Sequence, residues 1–96
     1  MDEFYFITTV ERDGLRTFHT CVGYVKSYEE AEKIVLNNDY DIAETCYNYA
    51  VIEKIPIGIY QFDTDPKWFK FNPSEERYEK CDTPDFAKGV AGWAMN

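Results

Sequence analysis

The stretch EFYFITTVERDGLRTFHTCVGYVKSYEEAEKIVL, Glu3 to Leu36, decides the fold. Glu3 to Val10 is rich in aromatic and β-branched residues. Strict alternation sets Phe4, Phe6 and Val10 on one side and Tyr5, Ile7 and Thr9 on the other, which predicts a strand. Arg12-Asp13-Gly14 follows, and an Asp-Gly step between two β-like runs predicts a hairpin, because both residues tolerate positive φ. A second strand is expected from about Leu15 to Val25, with Phe18, Val22 and Tyr24 opposed to Thr17, His19 and Cys21 and with Gly23 marking a bulge. Ser27-Tyr28-Glu29-Glu30 then has the form of a capping box, in which the serine hydroxyl accepts from the third helical amide. Tyr28, Ala31, Ile34 and Val35 recur at helical spacing, and Glu29 and Lys33 form an i,i+4 pair on the other side. Asn37-Asn38-Asp39 supplies the stop, since these side chains bond to nearby backbone.

Beyond the helix, Tyr40 to Cys46 reads as a linker with at most one helical turn. Tyr47 to Ile55 is the strongest strand signal, with Tyr47, Tyr49, Val51 and Ile55 alternating against Asn48, Ala50 and Ile52 until Pro56 and Gly58 interrupt it. An edge segment is expected over 57–62 and a turn at Asp63-Thr64-Asp65-Pro66. Lys67 to Phe71 forms another strand with Trp68 and Phe69 on opposite faces, and Arg77 to Cys81 pairs back across the Asn72-Pro73-Ser74 turn. The tail from Asp82 is turn-like, and its Trp93 needs a docking place. The expectation is a single α+β domain over residues 1–96: one antiparallel sheet with one helix packed on a face, ordered ββα and then about three strands.

Ninety-six residues, 45% of them hydrophobic, suit one small domain, and seven Phe, eight Tyr and two Trp supply large buried area per residue. The formal net charge is −8. Between Ser27 and Glu44 six acids stand against one base, Lys33, so that stretch alone carries −5. Such a surface attracts basic partners and repels nucleic acid. Cys21, Cys46 and Cys81 are an odd number, widely spaced and without a Cys-x-x-Cys step, so reduced and mostly packed thiols are expected. The start of the chain has no basic and apolar leader, and no run is long enough to span a membrane. A cytoplasmic location in a reducing compartment follows as the expectation.

Four constellations carry possible chemistry. Glu29, Glu30, Glu32, Asp39, Asp41 and Glu44 form the candidate partner-binding surface, because carboxylates one helical turn apart lie about 5–6 Å from each other and imitate an anionic polymer. The alternative for them is a solvated face that keeps the domain soluble. Arg16, His19, Tyr24, Tyr47 and Tyr49 are the candidate ligand-binding set, in which rings stack on a base while arginine addresses phosphate. Asp39-x-Asp41-x-x-Glu44 lacks the glycine and the bidentate glutamate of a calcium loop, so no metal and no cofactor is expected. His19 and Cys21 share a strand face, yet nothing supplies an orienting third group or an oxyanion hole, so no enzymatic activity is expected.

Arg16-Thr17-Phe18, Gly23-Tyr24, Tyr28-Glu29-Glu30-Ala31-Glu32, Asp41-Ile42 and Tyr47-Asn48-Tyr49-Ala50-Val51-Ile52-Glu53-Lys54-Ile55-Pro56 with Gly58-Ile59-Tyr60 together resemble a family of short uncharacterised proteins from gut Firmicutes and their phages and mobile elements. The resemblance runs from about Phe4 to Phe71 and brings no known activity or site residues. It implies a phage or mobile-element setting in a bacterial host cytosol. In that setting the expected role is a small acidic interaction protein that inhibits a host defence system, such as an anti-CRISPR, by occupying a basic surface of a nucleic-acid-handling protein. The alternatives are a nucleotide-binding sponge for an immune signal and a small structural domain, and a homodimer stays open.

Overall fold

The computed structural model of the protein describes residues 3–44, 46–56, 64–90 and 92–95. Strand β1 (Glu3–Asp13) turns into β2 (Arg16–Val25), helix α1 (Tyr28–Leu36) follows, and β3 (Tyr49–Pro56), β4 (Lys67–Asn72) and β5 (Arg77–Cys81) complete one antiparallel sheet in the order β2-β1-β3-β4-β5. This is the α+β arrangement expected from the pattern, with β1 in the interior and β2 and β5 at the edges. The edge segment expected over 57–62, and Asp63 of the adjoining turn, lie outside the described residues.

Alternation divides the sheet into two covered faces. Ile7, Ala50, Ile52, Phe69 and Tyr78 meet Ala31 and Val35 of α1 together with Ile42 and Ala43, and these form the larger core. On the opposite face Val10, Val51 and Trp68 meet Ala87 and Trp93 of the C-terminal tail. Trp68 and Phe69 therefore do point apart, one into each core. The tail makes two short 3₁₀ turns, Asp85–Ala87 and Trp93–Met95, and gives Trp93 its docking place within the same chain. A sheet buried on both sides explains how so small a chain hides so many large rings.

Helix α1 begins where the sequence placed it, with Ser27 Oγ accepting from the Glu30 amide at 3.2 Å, and it ends at the Asn37 cap. The Glu29–Lys33 pair does not form. An exposed i,i+4 pair gains little against the entropy of holding two long side chains, and the ion pair that α1 does make is between Glu32 and Lys80 of β5, at 2.9 Å.

Two register details differ from the simple pattern. Asp13 pairs with Arg16, so the turn is centred on Gly14-Leu15 rather than Asp13-Gly14, and only Gly14 of that pair has positive φ (61°). A glycine at the first central position is the other common solution for a two-residue hairpin. The second difference is a bulge: Ile7 pairs with Gly23 but Thr8 pairs with Cys21, which leaves Val22 as the extra residue. One inserted residue inverts the side-chain alternation beyond it. Tyr24 consequently lies opposite Phe6, on the same face as His19 and Cys21, whereas Phe18 faces the other way.

Candidate functional site

Of the six acids in the candidate surface, Glu29, Glu30, Asp41 and Glu44 are exposed and Asp39 is half-buried. Glu32 differs in kind. It accepts from the Tyr28 hydroxyl at 2.9 Å and from Lys80 at 2.9 Å, a clip between α1 and β5. The hydrogen bond from Lys80 and then that from Tyr28 hold its carboxyl below the usual range. Burial first, and the Glu32 carboxylate second, push the Tyr28 phenol up to about 12.

The chain from Asn38 to Glu44 is built unusually. Asn38, Tyr40, Asp41 and Glu44 all have φ between 46° and 61°. Left-handed backbone is unfavourable for residues with a Cβ, so the segment persists only because its surroundings fix it. Ile42 and Ala43 are buried in the core under α1, and Asn38 Oδ1 accepts from the Ala43 amide at 3.0 Å. Pinned in this way, the loop projects Tyr40 into solvent at 91% exposure with an acid on either side.

Beside that loop runs a cleft of about 620 Å³. Ile7, Val25, Ile34 and Ile42 make it apolar, and Val22, Gly23 and Tyr24 of the bulged edge strand form one wall. Tyr40, Asp41 and Glu44 complete it. A Cβ placed on Gly23 would meet nothing within 4 Å, so the bulge opens this wall rather than closing it. An apolar cleft edged by carboxylates and by the exposed Tyr40 can take a segment that alternates cations with apolar groups.

The residues of the candidate ligand set are dispersed. Arg16 is exposed at the hairpin. His19 meets Trp93 edge-on, with ring centroids 5.4 Å apart, and Tyr49 packs on Trp68 and Phe86 under the tail. Tyr24 stacks on Phe6. The hydroxyl of Tyr47 lies 3.1 Å from that of Thr20, while its carbonyl accepts from Tyr78 at 2.7 Å. Within the set only His19 and Tyr49 share one aromatic cluster, and both are occupied in packing there.

The thiols are free, as anticipated, but only Cys81 is partly covered; Cys21 and Cys46 are exposed, one on the edge strand and one after the strained loop. Local desolvation, then the carboxylates of Glu11 and Glu44, keep the Cys46 thiol above its ordinary value. Burial does the same for Cys81. Neither is poised as a thiolate nucleophile. Among the described residues no group of three or more His, Cys, Asp or Glu could hold a metal ion, and no helix is long and apolar enough to cross a membrane.

One polar site escaped the sequence reading altogether. Glu53 of β3 has no exposed surface, and its carboxylate accepts from the Thr64 hydroxyl at 2.6 Å, the Gly92 amide at 2.7 Å and the Ala94 amide at 3.1 Å. It is the hook that holds the tail on the sheet, with Trp93 seated between its two amide contacts. A glutamate at a mid-strand position whose same-face neighbours, Val51 and Ile55, are apolar is the signal that could have revealed it. Comparison of the chain with protein-family models, with curated proteins and with solved structures found no match.

Proposed function

We propose that the protein is a non-enzymatic interaction module whose acid-edged cleft between β2 and the Asn38–Glu44 loop receives a basic surface of another protein. The observation that carries this reading is the juxtaposition of Tyr40, 91% exposed on a strained and pinned backbone, with the apolar cleft and the exposed Asp41 and Glu44. Exposed aromatic anchors placed centrally and surrounded by complementary charge are what binding hot spots are made of. Holding Tyr40 rigid before contact lowers the ordering cost of association. The exposed Glu29 and Glu30 of α1 extend the same negative field and serve to speed encounter. In this reading Glu32, clipped to Lys80 and Tyr28, serves the fold rather than the interface.

The partner class is a cytosolic host protein that itself handles nucleic acid, because such proteins carry the Lys- and Arg-rich surfaces an anionic cleft complements. The family resemblance supports a phage or mobile-element setting in which occupying that surface inhibits a defence component. The test is association kinetics with a partner captured from host lysate. Charge reversal at Asp41 and Glu44 is expected to slow association and flatten its salt dependence, and Tyr40→Ala is expected to speed dissociation. A wild-type association rate at low salt for the charge-reversed protein would remove the reading.

A further inference from the structure

Three of the ten basic residues converge beside the first turn of α1. Pairing sets Tyr5 opposite Lys54, Lys67 opposite Ile52 and Lys80 opposite Phe69, which brings all three lysines onto the face that carries the helix. There they line a second cleft of about 590 Å³ together with Tyr5, Tyr28 and Phe69, and with the acids Asp65 and Asp82. The Tyr5 and Tyr28 rings stand 6.0 Å apart at 72°, an edge-to-face pair beside the lysines.

Each ammonium already has a carboxylate: Glu3 lies 3.6 Å from Lys54, Asp65 3.3 Å from Lys67 and Glu32 2.9 Å from Lys80. The first two pairs are open to solvent on both sides, with every side chain at least 41% exposed. Exposed pairs of that kind contribute little, so a phosphate dianion can draw Lys54 and Lys67 from their partners at small cost. Net charge restricts the ligand further. At −8, the chain repels every added phosphate, and long polyanions are disfavoured. The cleft's size fits one small molecule, and the tyrosines offer it a ring surface.

We propose that this cleft binds a small phosphorylated molecule bearing an aromatic ring, of the nucleoside monophosphate class, with Lys54 and Lys67 on the phosphate and Tyr5 and Tyr28 against the base. The site is separate from the acid-edged cleft, so either proposal can fail without the other.

Calorimetric titration of the full chain at low salt with AMP, adenosine and inorganic phosphate tests it. AMP is expected to bind with a dissociation constant of about 0.1–1 mM. Adenosine and phosphate should each bind at least about tenfold more weakly, since each keeps only half of the contacts. The double variant Lys54→Ala/Lys67→Ala should lose about tenfold or more in AMP affinity. Lys88→Ala, in the tail, should lose none. Unchanged far-ultraviolet circular dichroism checks the fold, and Lys54→Gln alone, with a smaller loss in the same direction, replaces the double variant if that does not fold. No AMP binding up to about 5 mM, adenosine or phosphate binding as tightly as AMP, or wild-type AMP affinity in the lysine variants would each overturn the proposal.

Discussion

Removing the Glu53 carboxylate should release the C-terminal tail. Three donors end on it: the Thr64 hydroxyl and the Gly92 and Ala94 amides. Hydrogen bonds to a charged group contribute about 1.5–3 kcal/mol each, and breaking a buried network of this kind costs about 3–5 kcal/mol. Burial of the Trp93 ring gives about 4–6 kcal/mol in favour of docking, from about 150–250 Å² at about 25 cal/mol per Å². Against it stand Thr8 Oγ1, His19 Nδ1 and Trp93 Nε1, which are buried and find no hydrogen-bond partner among the described residues. Each such atom costs about 1–3 kcal/mol. Apolar burial is thus opposed by orphaned polar atoms, and the Glu53 bonds weigh in favour of docking. Glu53→Ala should lower stability by about 3–5 kcal/mol and shift the Trp fluorescence toward that of a hydrated indole. Glu53→Gln keeps the shape but turns an amide donor toward one of the three donors, so about 2 kcal/mol is expected. Urea denaturation followed by Trp fluorescence, with limited proteolysis of the tail, measures both. Glu53→Gln within about 0.5 kcal/mol of wild type, with an unshifted Trp spectrum, would refute the reasoning.

Ser27→Ala should cost about 1 kcal/mol through the lost N-cap bond to Glu30, read as a lower urea midpoint. The Glu32–Lys80–Tyr28 clip makes stability fall at both extremes of pH. The Glu32 carboxyl titrates below its ordinary 4.5 in the folded chain, so its contribution is complete above that value and is lost as pH falls through the folded one. Tyr28 titrates at about 12 rather than 10, so its contribution is complete below pH 10 and is lost between 10 and about 12. Denaturation midpoints across pH check both limbs, the acid one against Glu32→Gln and the alkaline one against Tyr28→Phe. Native thiol titration should find Cys21 and Cys46 reacting first and Cys81 last, in the order of their exposure.

The strands and the helix were legible because each carries a strong local signal: alternation at period two in β1, β3 and β4, and a serine cap before an apolar stripe in α1. The two misplacements in β2 have local causes of a subtler kind. Asp13-Gly14 and Gly14-Leu15 are both acceptable turn centres, and only the ladder to β1 chooses between them. Gly23 marked the bulge, but which residue was extra depends on cross-strand pairing, and the facing of Tyr24 depends on that choice. The acidic stretch was legible as charge and not as geometry. Glu32 belongs to the same run as Glu29 and Glu30, yet a partner on β5, distant in sequence, makes it structural. Tyr40 had no signal of its own, since its exposure comes from the left-handed backbone that Ile42 and Ala43 anchor. Glu53 was hidden for the reverse reason: its donors lie eleven to forty-one residues later in the chain, and no local pattern joins them.

The most direct test of the acid-edged cleft is a residue-resolved NMR titration of the labelled protein with a short peptide that alternates arginine and leucine, run at low and at moderate salt. The account predicts that amide shifts move first and furthest at Val22, Tyr24, Tyr40, Asp41 and Ile42, that added salt weakens binding, and that Tyr40→Ala abolishes the Val22 and Tyr24 shifts. Perturbations spread evenly over every exposed acid, or concentrated on Glu29 and Glu30 with the cleft unmoved, would contradict it.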